Sequence, residues 1–246
     1  MKVEIIGHGN VATHLYKALN DKADVSIINS RTREGMAHDA DIFIIAVPDH
    51  AIKDVAERIK AILNQQPPHG LIVHTSGTTP MNVLSPYSGS IGVFYPLQTF
   101  SRDTPLNYSE IPLFIESDDP ESVEILRRLA GMFTTHIYEA DSERRRHLHL
   151  ASVMACNFVN HLWALSDQYL NNHDMEFSML VPLIKETMRK AMVAGPTDVQ
   201  TGPAVRRDET TMSAHLEMLH DNPDIQQMYR LLSESIIKFD KHKHSN

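Results

Sequence analysis

The sequence contains a single cysteine, and it lacks both a long apolar run and a long basic run. One cysteine, Cys156, excludes an internal disulfide and is typical of a reducing compartment. No apolar stretch approaches the roughly 20 residues that a membrane-spanning helix needs, and the sequence opens on a strand pattern without a signal peptide. The formal net charge of -8, without a basic tract, argues against nucleic acid. We therefore expect a cytoplasmic protein with neither a membrane nor a nucleic acid as partner.

The 15 histidines do not show the spacing of a metal site. His147 and His149 are two residues apart on a predicted helix, so their side chains point in different directions. His242 and His244 lie in a charged terminal segment. Because no zinc-type spacing is present either, we expect no bound metal.

The first strand runs into a glycine turn of the kind that binds dinucleotides. After the apolar residues Val3, Ile5 and Ile6, two glycines permit a tight turn and the close approach of a pyrophosphate, and an alanine lets helix and strand pack closely. The free N–H groups of the new helix would face the diphosphate. The predicted cofactor-binding residues of this turn are Gly7, His8, Gly9, Asn10, Val11 and Ala12.

The end of the second predicted strand favours NADP(H) over NAD(H). An acidic residue there would bind a ribose 2′-OH and repel a 2′-phosphate, whereas this sequence has Asn29, Ser30 and Arg31, followed by Arg33. Guanidinium groups match phosphate oxygens, so these residues are predicted to hold the 2′-phosphate. Alternatively, the two arginines are solvated charges on a loop.

Two further turns follow predicted buried strands. Since ligands of open α/β sheets bind outside the carboxyl ends of the strands, we expect both turns to line the same crevice as the glycine turn. For the second turn, ordinary turn chemistry is an equally good explanation. The acidic residue of the first turn is also predicted to cap the next helix. The residues concerned are Val47, Pro48 and Asp49 in the first turn and Thr75, Ser76 and Gly77 in the second.

Seven strand-like segments precede residue 140, and helical periodicity continues from Asp141 to the end. This order predicts an α/β fold: a Rossmann-type, doubly wound, mostly parallel sheet over residues 1–140, then an all-α domain over residues 141–246. The 246 residues suffice for two such domains. A helix over about residues 177–193 is apolar on more than one side, so we expect it to be buried.

A long helix is predicted over residues 142–171, which contain no glycine or proline. One side carries His149, Ser152, Cys156, Asn157 and Asn160, with few charged residues. We interpret this side as the wall of a cleft or a subunit interface; alternatively, these groups face solvent or are satisfied within a helix bundle.

Six motifs occur in order along the chain, at residues 7–12, 46–49, 74–77, 95–98, 149 with 155–158, and 201–203 with 206–208. Together they resemble bacterial NADP oxidoreductases that join a Rossmann-like domain to a helical C-terminal domain of unknown function. The chain is more distantly similar to pyrroline-5-carboxylate reductase, deazaflavin-dependent NADP oxidoreductases and β-hydroxyacid dehydrogenases. The resemblance implies an NADP-binding first domain, an active site between the domains, and a homodimer formed through a helical domain like the C-terminal one of 6-phosphogluconate dehydrogenase.

The sequence departs from these relatives at the proton donor. β-Hydroxyacid dehydrogenases carry a lysine early in the long helix, whereas this chain has none between Lys60 and Lys185. Either His149 or Asn157 takes over the role of that lysine, or the proton donor lies elsewhere. Of these we predict His149 as the general acid, because imidazole exchanges protons near neutral pH. Asn157 would orient the substrate. The predicted substrate-binding residues are Tyr95, Asn160, Thr201, Arg206 and Arg207.

Paired arginines after two Gly-Pro turns either hold an anionic substrate group or cofactor phosphate, or form salt bridges with Asp208 and Glu209.

The favoured function is an NADP(H)-dependent oxidoreductase that transfers hydride to a C=O or C=N group of a small-molecule substrate. The alternative is a non-catalytic NADP-binding sensor or interaction protein. A third possibility is a helical dimer with a vestigial nucleotide domain.

Overall fold

The seven apolar segments of the first half form one sheet in the computed structural model, which describes residues 1–31, 36–37, 39–63 and 70–243. The strand order is β2-β1-β3-β4-β5-β6-β7. Neighbouring strands are parallel except β5 and β6, which are antiparallel. The strands are β1 Lys2–Ile6, β2 Asp24–Ile28, β3 Ile42–Ile45, β4 Leu71–His74, β5 Ile91–Pro96, β6 Leu113–Glu116 and β7 Ile137–Glu139.

Helices cover both faces of this sheet. On one face, α1 (Asn10–Leu19) and α3 (Pro120–Ala130) pack with Leu15 and Leu126 against β1, β3 and β6. On the other face, α2 (Ile52–Leu63) packs with Ile59 against the opposite side of the same strands. Every residue of β3 and β4 is buried, as expected for central strands covered on both faces. The predicted doubly wound, mostly parallel sheet is confirmed.

Local caps begin the helices where the sequence predicts. Asp119 accepts hydrogen bonds from the backbone N–H groups of Glu121 and Ser122, with Pro120 in the first turn of α3. Asp141 caps α4 (Ser142–Ser152) by accepting from the N–H of Arg144. The predicted change from strands to helices after Asp141 is therefore confirmed.

Contacts divide the chain into two compact units, Met1–Phe158 and Val159–Asn246. The first contains the sheet, α4 and a π-helical segment, Val153–Phe158. The second contains α5 (Val159–Asn171), α6 (Val181–Ala194), α7 (Pro203–Arg206), α8 (Glu209–Met218) and α9 (Pro223–Lys243). The division falls within the helical residues 142–171, and the proposed domain boundary near residue 140 remains a prediction.

The predicted burial of the helix at residues 177–193 is wrong for the single chain. A 3-10 turn, Phe177–Leu180, and α6 form there, but Met179, Leu183 and Met192 expose 64, 64 and 79% of their surface. The described helices of the second unit, α5 to α9, leave these apolar side chains exposed. None of the described helices is both long and apolar enough to cross a membrane.

Candidate active site

The glycine turn at the end of β1 is held against the end of β3. Gly7 has φ +144°, and a Cβ atom on it would lie 2.2 Å from the carbonyl oxygen of Ala46. Its N–H donates to the carbonyl of Ile28 at 3.0 Å, which ties the turn to the end of β2. No other residue type could adopt this conformation at this distance, so the sequence argument for Gly7 has a direct structural basis.

The N-terminus of α1 is open beside this turn. A Cβ atom at Gly9 would have no neighbour within 4 Å, and no described side chain caps the helix. His8 and Asn10 are exposed, whereas Ala12 is fully buried between helix and sheet. Uncapped N–H groups at the positive end of a helix attract anions. This arrangement suits the diphosphate of a dinucleotide.

A cavity of about 940 Å³ begins at this helix end and lies within the first unit. On the side of the sheet, the cavity is lined by residues at or just after the carboxyl ends of β1, β3, β4 and β5. β1 and β3 flank the point at which the chain reverses its direction of winding, which is where doubly wound folds bind ligands. The lining residues on this side are Gly9, Asn10, Val11, Ala46, Val47, Pro48, Thr75 and Tyr95.

The opposite wall comes from α4 and the π-helical segment. His149 and Ser152 of α4 line the cavity, as do Cys156 and Asn157 of the π-helical segment. The wider turns of a π-helix occur frequently at functional sites. Residues 97–100 complete the lining, and the sequence arguments missed Thr99 and Phe100 of this loop. The adjacent Tyr95-Pro96-Leu97-Gln98 motif was the available signal.

A hydrogen bond joins Tyr95 to His149 at the centre of this lining. The Oη atom of Tyr95 lies 2.9 Å from Nδ1 of His149, although the two residues are 54 positions apart. Tyr95 is only 8% exposed, and burial raises the pKa of its phenol while the neighbouring Ser152 hydroxyl partly offsets that rise. The phenol is therefore neutral at pH 7. Where it donates to Nδ1, the proton of a neutral His149 ring is on Nε2.

Gly77 makes room for this pair. A Cβ atom at Gly77 would lie 2.5 Å from Nδ1 of His149 and 2.9 Å from Cζ of Tyr95. The glycine of the second predicted turn therefore has a packing reason beyond turn chemistry. Thr75 of the same turn lines the cavity, and Ser76 is buried beneath it.

Arg145 anchors α4 to that turn. Its guanidinium is fully buried, pairs with the carboxylate of Glu116, and donates from Nε to the carbonyl of Ser76 at 3.1 Å. It also donates to the carbonyl of Thr79. Since residues four apart share a helix face, Arg145 fixes the same face of α4 that carries His149. Sequence reasoning missed Arg145, because a run of three arginines reads as a solvated surface.

The turn after β4 is also held from within. Nδ1 of the buried His74 accepts from the N–H of Ser76 at 3.2 Å. Burial, followed by the nearby charge of Arg145, lowers the pKa of His74 to about 4. The imidazole is therefore neutral at pH 7. The Oγ atom of Ser76 accepts from the N–H groups of Thr78 and Thr79, at 3.1 and 2.9 Å.

Asp49 has a different role from the predicted one. The first turn of its helix begins after Pro48, and the Asp49 carboxylate accepts a hydrogen bond from the Thr78 hydroxyl instead of capping α2. Val47 and Pro48 line the cavity, whereas Asp49 borders a separate groove. Asp49 thus links the two turns behind the cavity wall.

The residues predicted to select the cofactor lie at the end of β2. The Oδ1 atom of Asn29 accepts from the N–H of Arg31 at 2.9 Å, and the Arg31 side chain is exposed. The carbonyl of Ser30 accepts from the guanidinium of Arg58, which projects from α2. Sequence reasoning missed Arg58, because it is 27 residues further along than Arg31. The predicted Arg33 lies outside the described residues.

Four predicted substrate-binding residues belong to the second unit. Asn160 is exposed on α5, and Thr201 is exposed before α7. Arg206 ends α7, and the exposed Arg207 follows it with φ 54°. Asp208 caps α8 through the N–H and hydroxyl of Thr211, and these bonds lower the pKa of its carboxyl. The role of the two arginines remains a prediction.

The strand order and the glycine turn at its switch point define a Rossmann-type dinucleotide-binding fold, followed here by a helical unit. Residues 111–236 match the family described as "Domain of unknown function (DUF2520)", and the chain belongs to this family. None of the curated proteins matches the chain significantly in sequence.

Solved structures show the same architecture along the whole chain. One from Bacteroides fragilis, named as a "putative NADP oxidoreductase", is 38% identical, with a TM-score of 0.89 over 96% of this chain and 98% of that chain. The predicted membership of the NADP oxidoreductase family is confirmed by this relative. A protein from Thermotoga maritima is 17% identical, with a TM-score of 0.73 over 98 and 99% of the two chains. An imine reductase from Myxococcus stipitatus, in complex with NADP+, is 12% identical, with a TM-score of 0.64 over 100 and 94%; these last two likenesses establish the fold alone.

Proposed function

We propose that this protein is an NADP(H)-dependent oxidoreductase that transfers hydride to a C=O or C=N group of a small molecule. The observation that carries the proposal is the Tyr95–His149 pair, which lines the same cavity as the open end of α1. A dinucleotide on α1 and a proton-donating pair beside it are the two parts that such a reduction requires. The name of the 38% identical relative supports the same class of reaction.

The cofactor would lie along the carboxyl ends of the strands. Gly9 and the N–H groups of α1 would hold its diphosphate, and Val47, Pro48 and Thr75 would border its nicotinamide half. Asn29, Ser30 and Arg31 would surround the 2′-phosphate, and Arg58 would add a second guanidinium to that turn. The name of the 38% identical relative, a "putative NADP oxidoreductase", supports this choice of cofactor.

His149 would supply the proton for the reduced substrate. When bound, the cofactor supplies the hydride to the acceptor carbon. The proton on Nε2 of His149 is the one available to the substrate heteroatom, because Nδ1 accepts from Tyr95. As Nε2 gives up its proton to the substrate heteroatom, the phenol proton of Tyr95 passes to Nδ1, and water then returns a proton to the phenolate, which burial disfavours. Asn157, exposed on the same wall, would orient the substrate.

Arg206 and Arg207 remain proposed contacts for an anionic part of the substrate, together with Thr201 and Asn160. Both arginine side chains are exposed in the second unit, and Asp208 is already occupied as a helix cap. Exposed guanidinium groups bind carboxylates in a bidentate manner. A carboxylate-bearing acceptor is therefore a sensible member of any substrate panel.

We also propose a homodimer formed through the second unit. Met188, Met192, Val193 and Phe239 each expose more than half of their surface there. Large apolar residues in such numbers mark an interaction surface rather than an ordinary monomer surface. Sedimentation velocity would test this: we expect the mass of two chains, and a monomer at micromolar concentration would contradict the proposal.

The function is tested by binding first and turnover second. Calorimetric titration should show tighter binding of NADPH than of NADH, and NADPH absorbance should then fall with one member of a panel of aldehydes, ketoacids and cyclic imines. His149→Gln should lower kcat about 100-fold or more, whereas His147→Gln on the exposed side of the same helix should not. NADPH binding without oxidation of any acceptor would favour the non-catalytic sensor.

A further inference from the structure

Three side chains of α1 donate to consecutive carbonyl groups of one loop. The carbonyl oxygens belong to Phe100, Ser101 and Arg102. The donors follow a helical spacing of four and three residues, so they lie along one stripe of α1. They are Asn10 Nδ2 at 2.8 Å, His14 Nε2 at 2.9 Å and Lys17 Nζ at 3.3 Å. We call residues 97–102 the site loop, because residues 97–100 line the active-site cavity.

His14 is the centre of this contact. The side chain is 1% exposed, and both of its ring nitrogens have partners. Because a carbonyl only accepts, Nε2 donates to the carbonyl of Ser101, and Nδ1 is hydrogen-bonded to the hydroxyl of Tyr108 at 3.0 Å. The imidazole also lies 5.2 Å from the ring of Phe100. A single imidazole therefore contacts both ends of the segment that follows β5.

The site loop has little else to hold it. The backbone N–H of Leu97 donates a hydrogen bond to the carbonyl of Pro112, and the N–H of Thr104 donates to the carbonyl of Ser101. Between Gln98 and Asp103, no backbone hydrogen bond to a neighbouring element is found in the described part of the chain. The position of this segment therefore depends on the side chains of α1.

We propose that His14 is a positioning residue that fixes Gln98, Thr99 and Phe100 as a specificity-determining wall of the active site. Asn10 belongs both to the glycine turn and to the contact with Phe100, so the site loop and the dinucleotide-binding end of α1 move as one body. Binding of a dinucleotide at α1 would then restrain the wall that contacts the acceptor. His14 itself touches neither ligand.

Amide hydrogen exchange tests this inference on the full-length chain. Peptides covering residues 97–107 report the site loop, and peptides covering β3 and β4 serve as the internal reference. His14→Leu should accelerate exchange of the loop roughly tenfold and leave the reference unchanged, because two hydrogen bonds are lost. His14→Gln should restore much of the protection, since its amide can still donate to Ser101. Tyr108→Phe, which removes only the hydroxyl, should give an intermediate result.

NADPH extends the test to the coupling. In the wild type, NADPH should slow exchange in the site loop as well as at the glycine turn, and His14→Leu should abolish the effect in the loop only. The kinetic part rests on the proposed reductase function: the KM for the acceptor should rise roughly 5- to 10-fold, while the Kd for NADPH stays within about twofold. If NADPH does not bind, the proposed function fails, but exchange of the free variants still decides the role of His14.

Unchanged exchange in the loop of His14→Leu would overturn the inference. Equal acceleration in the loop and in β3 and β4 would also overturn it, because His14 would then be an ordinary core residue. If His14→Leu does not fold, the double variant Asn10→Ala with Lys17→Met removes the two outer donors from exposed positions. It should accelerate the loop alone, and no acceleration there would count against the proposal.

Discussion

A Cβ atom placed on Gly77 would lie 2.5 Å from Nδ1 of His149. The imidazole and the ring of Tyr95 therefore occupy the volume that any other residue at position 77 would fill. The turn after β4 thereby sets the place of a side chain on α4.

Gly77→Ala should displace His149 from Tyr95 and reduce turnover. The displaced hydrogen bond is part of the proposed proton path, so we expect kcat to fall roughly 10- to 100-fold while NADPH affinity changes little. Steady-state kinetics and calorimetry measure the two effects. Gly89→Ala is the matched control, because a Cβ atom there would meet nothing within 4 Å. Equal activity of the two variants would contradict this role for Gly77.

Arg145→Met should strongly destabilise the first unit. Removing the guanidinium leaves the Glu116 carboxylate without its buried partner and frees the carbonyls of Ser76 and Thr79. Breaking a buried ion pair on one side costs about 3–5 kcal/mol. Urea unfolding followed by circular dichroism measures the loss. Arg144→Met changes an exposed neighbour on α4 and should cost less than about 0.5 kcal/mol; a similar loss in both would refute the anchoring role.

His74 should make the stability fall in mild acid. Its pKa is about 4 in the folded chain and 6.5 for the free side chain, so the unfolded chain binds the extra proton between these values. The contribution of His74 to the free energy of unfolding should therefore be complete above pH 6.5. It should decline as the pH falls towards 4, by up to about 3 kcal/mol in total.

Urea unfolding at pH 7.5 and pH 5 measures this decline. His74→Gln should flatten the difference between the two pH values, since glutamine does not titrate. His147→Gln, which removes an exposed imidazole, should leave the difference as it is in the wild type. A wild-type slope in His74→Gln would show that other groups cause the acid sensitivity.

Arg31→Ala should reduce the preference for NADPH over NADH. The lost guanidinium would pair with the 2′-phosphate, so NADPH affinity should fall roughly 10- to 100-fold while NADH affinity changes by less than about threefold. Calorimetric titration with both dinucleotides measures the ratio. Arg128→Ala, on α3, is the control. An unchanged ratio in Arg31→Ala would assign the preference to other residues, with Arg58 the first to test.

Local patterns in the sequence were enough to predict the secondary-structure elements and the glycine turn that forms one end of the cavity. Gly7 and Ala12 have the conformational and packing reasons that the motif predicts, and Asp119 begins α3 as a helix cap. The prediction that Asp49 caps α2 was wrong, because Asp49 lies inside the first turn after Pro48 and its carboxylate accepts from another donor. Thr78, 29 residues away, supplies that donor.

Side-chain burial could not be predicted in the same way. Arg145 belongs to a polar run and yet is fully buried, because Glu116, Ser76 and Thr79 surround its guanidinium. The residues of α6 are apolar and yet exposed, because burial depends on whether another surface covers them. Periodicity identifies the face of a helix but not the partner of that face.

By itself, the sequence determined the glycine turn after β1, the alternation of strands and helices, and the change to helices after Asp141. These features depend on neighbours within a few residues, through backbone freedom, side-chain periodicity and caps. Only the tertiary structure decided that Tyr95, Gly77 and His149 meet, that Arg145 is buried, and that His14 holds the site loop. The hydrogen bonds Tyr95–His149, Arg145–Ser76 and His14–Ser101 join residues 54, 69 and 87 positions apart, and such contacts are formed by the packing of whole elements rather than by local preference.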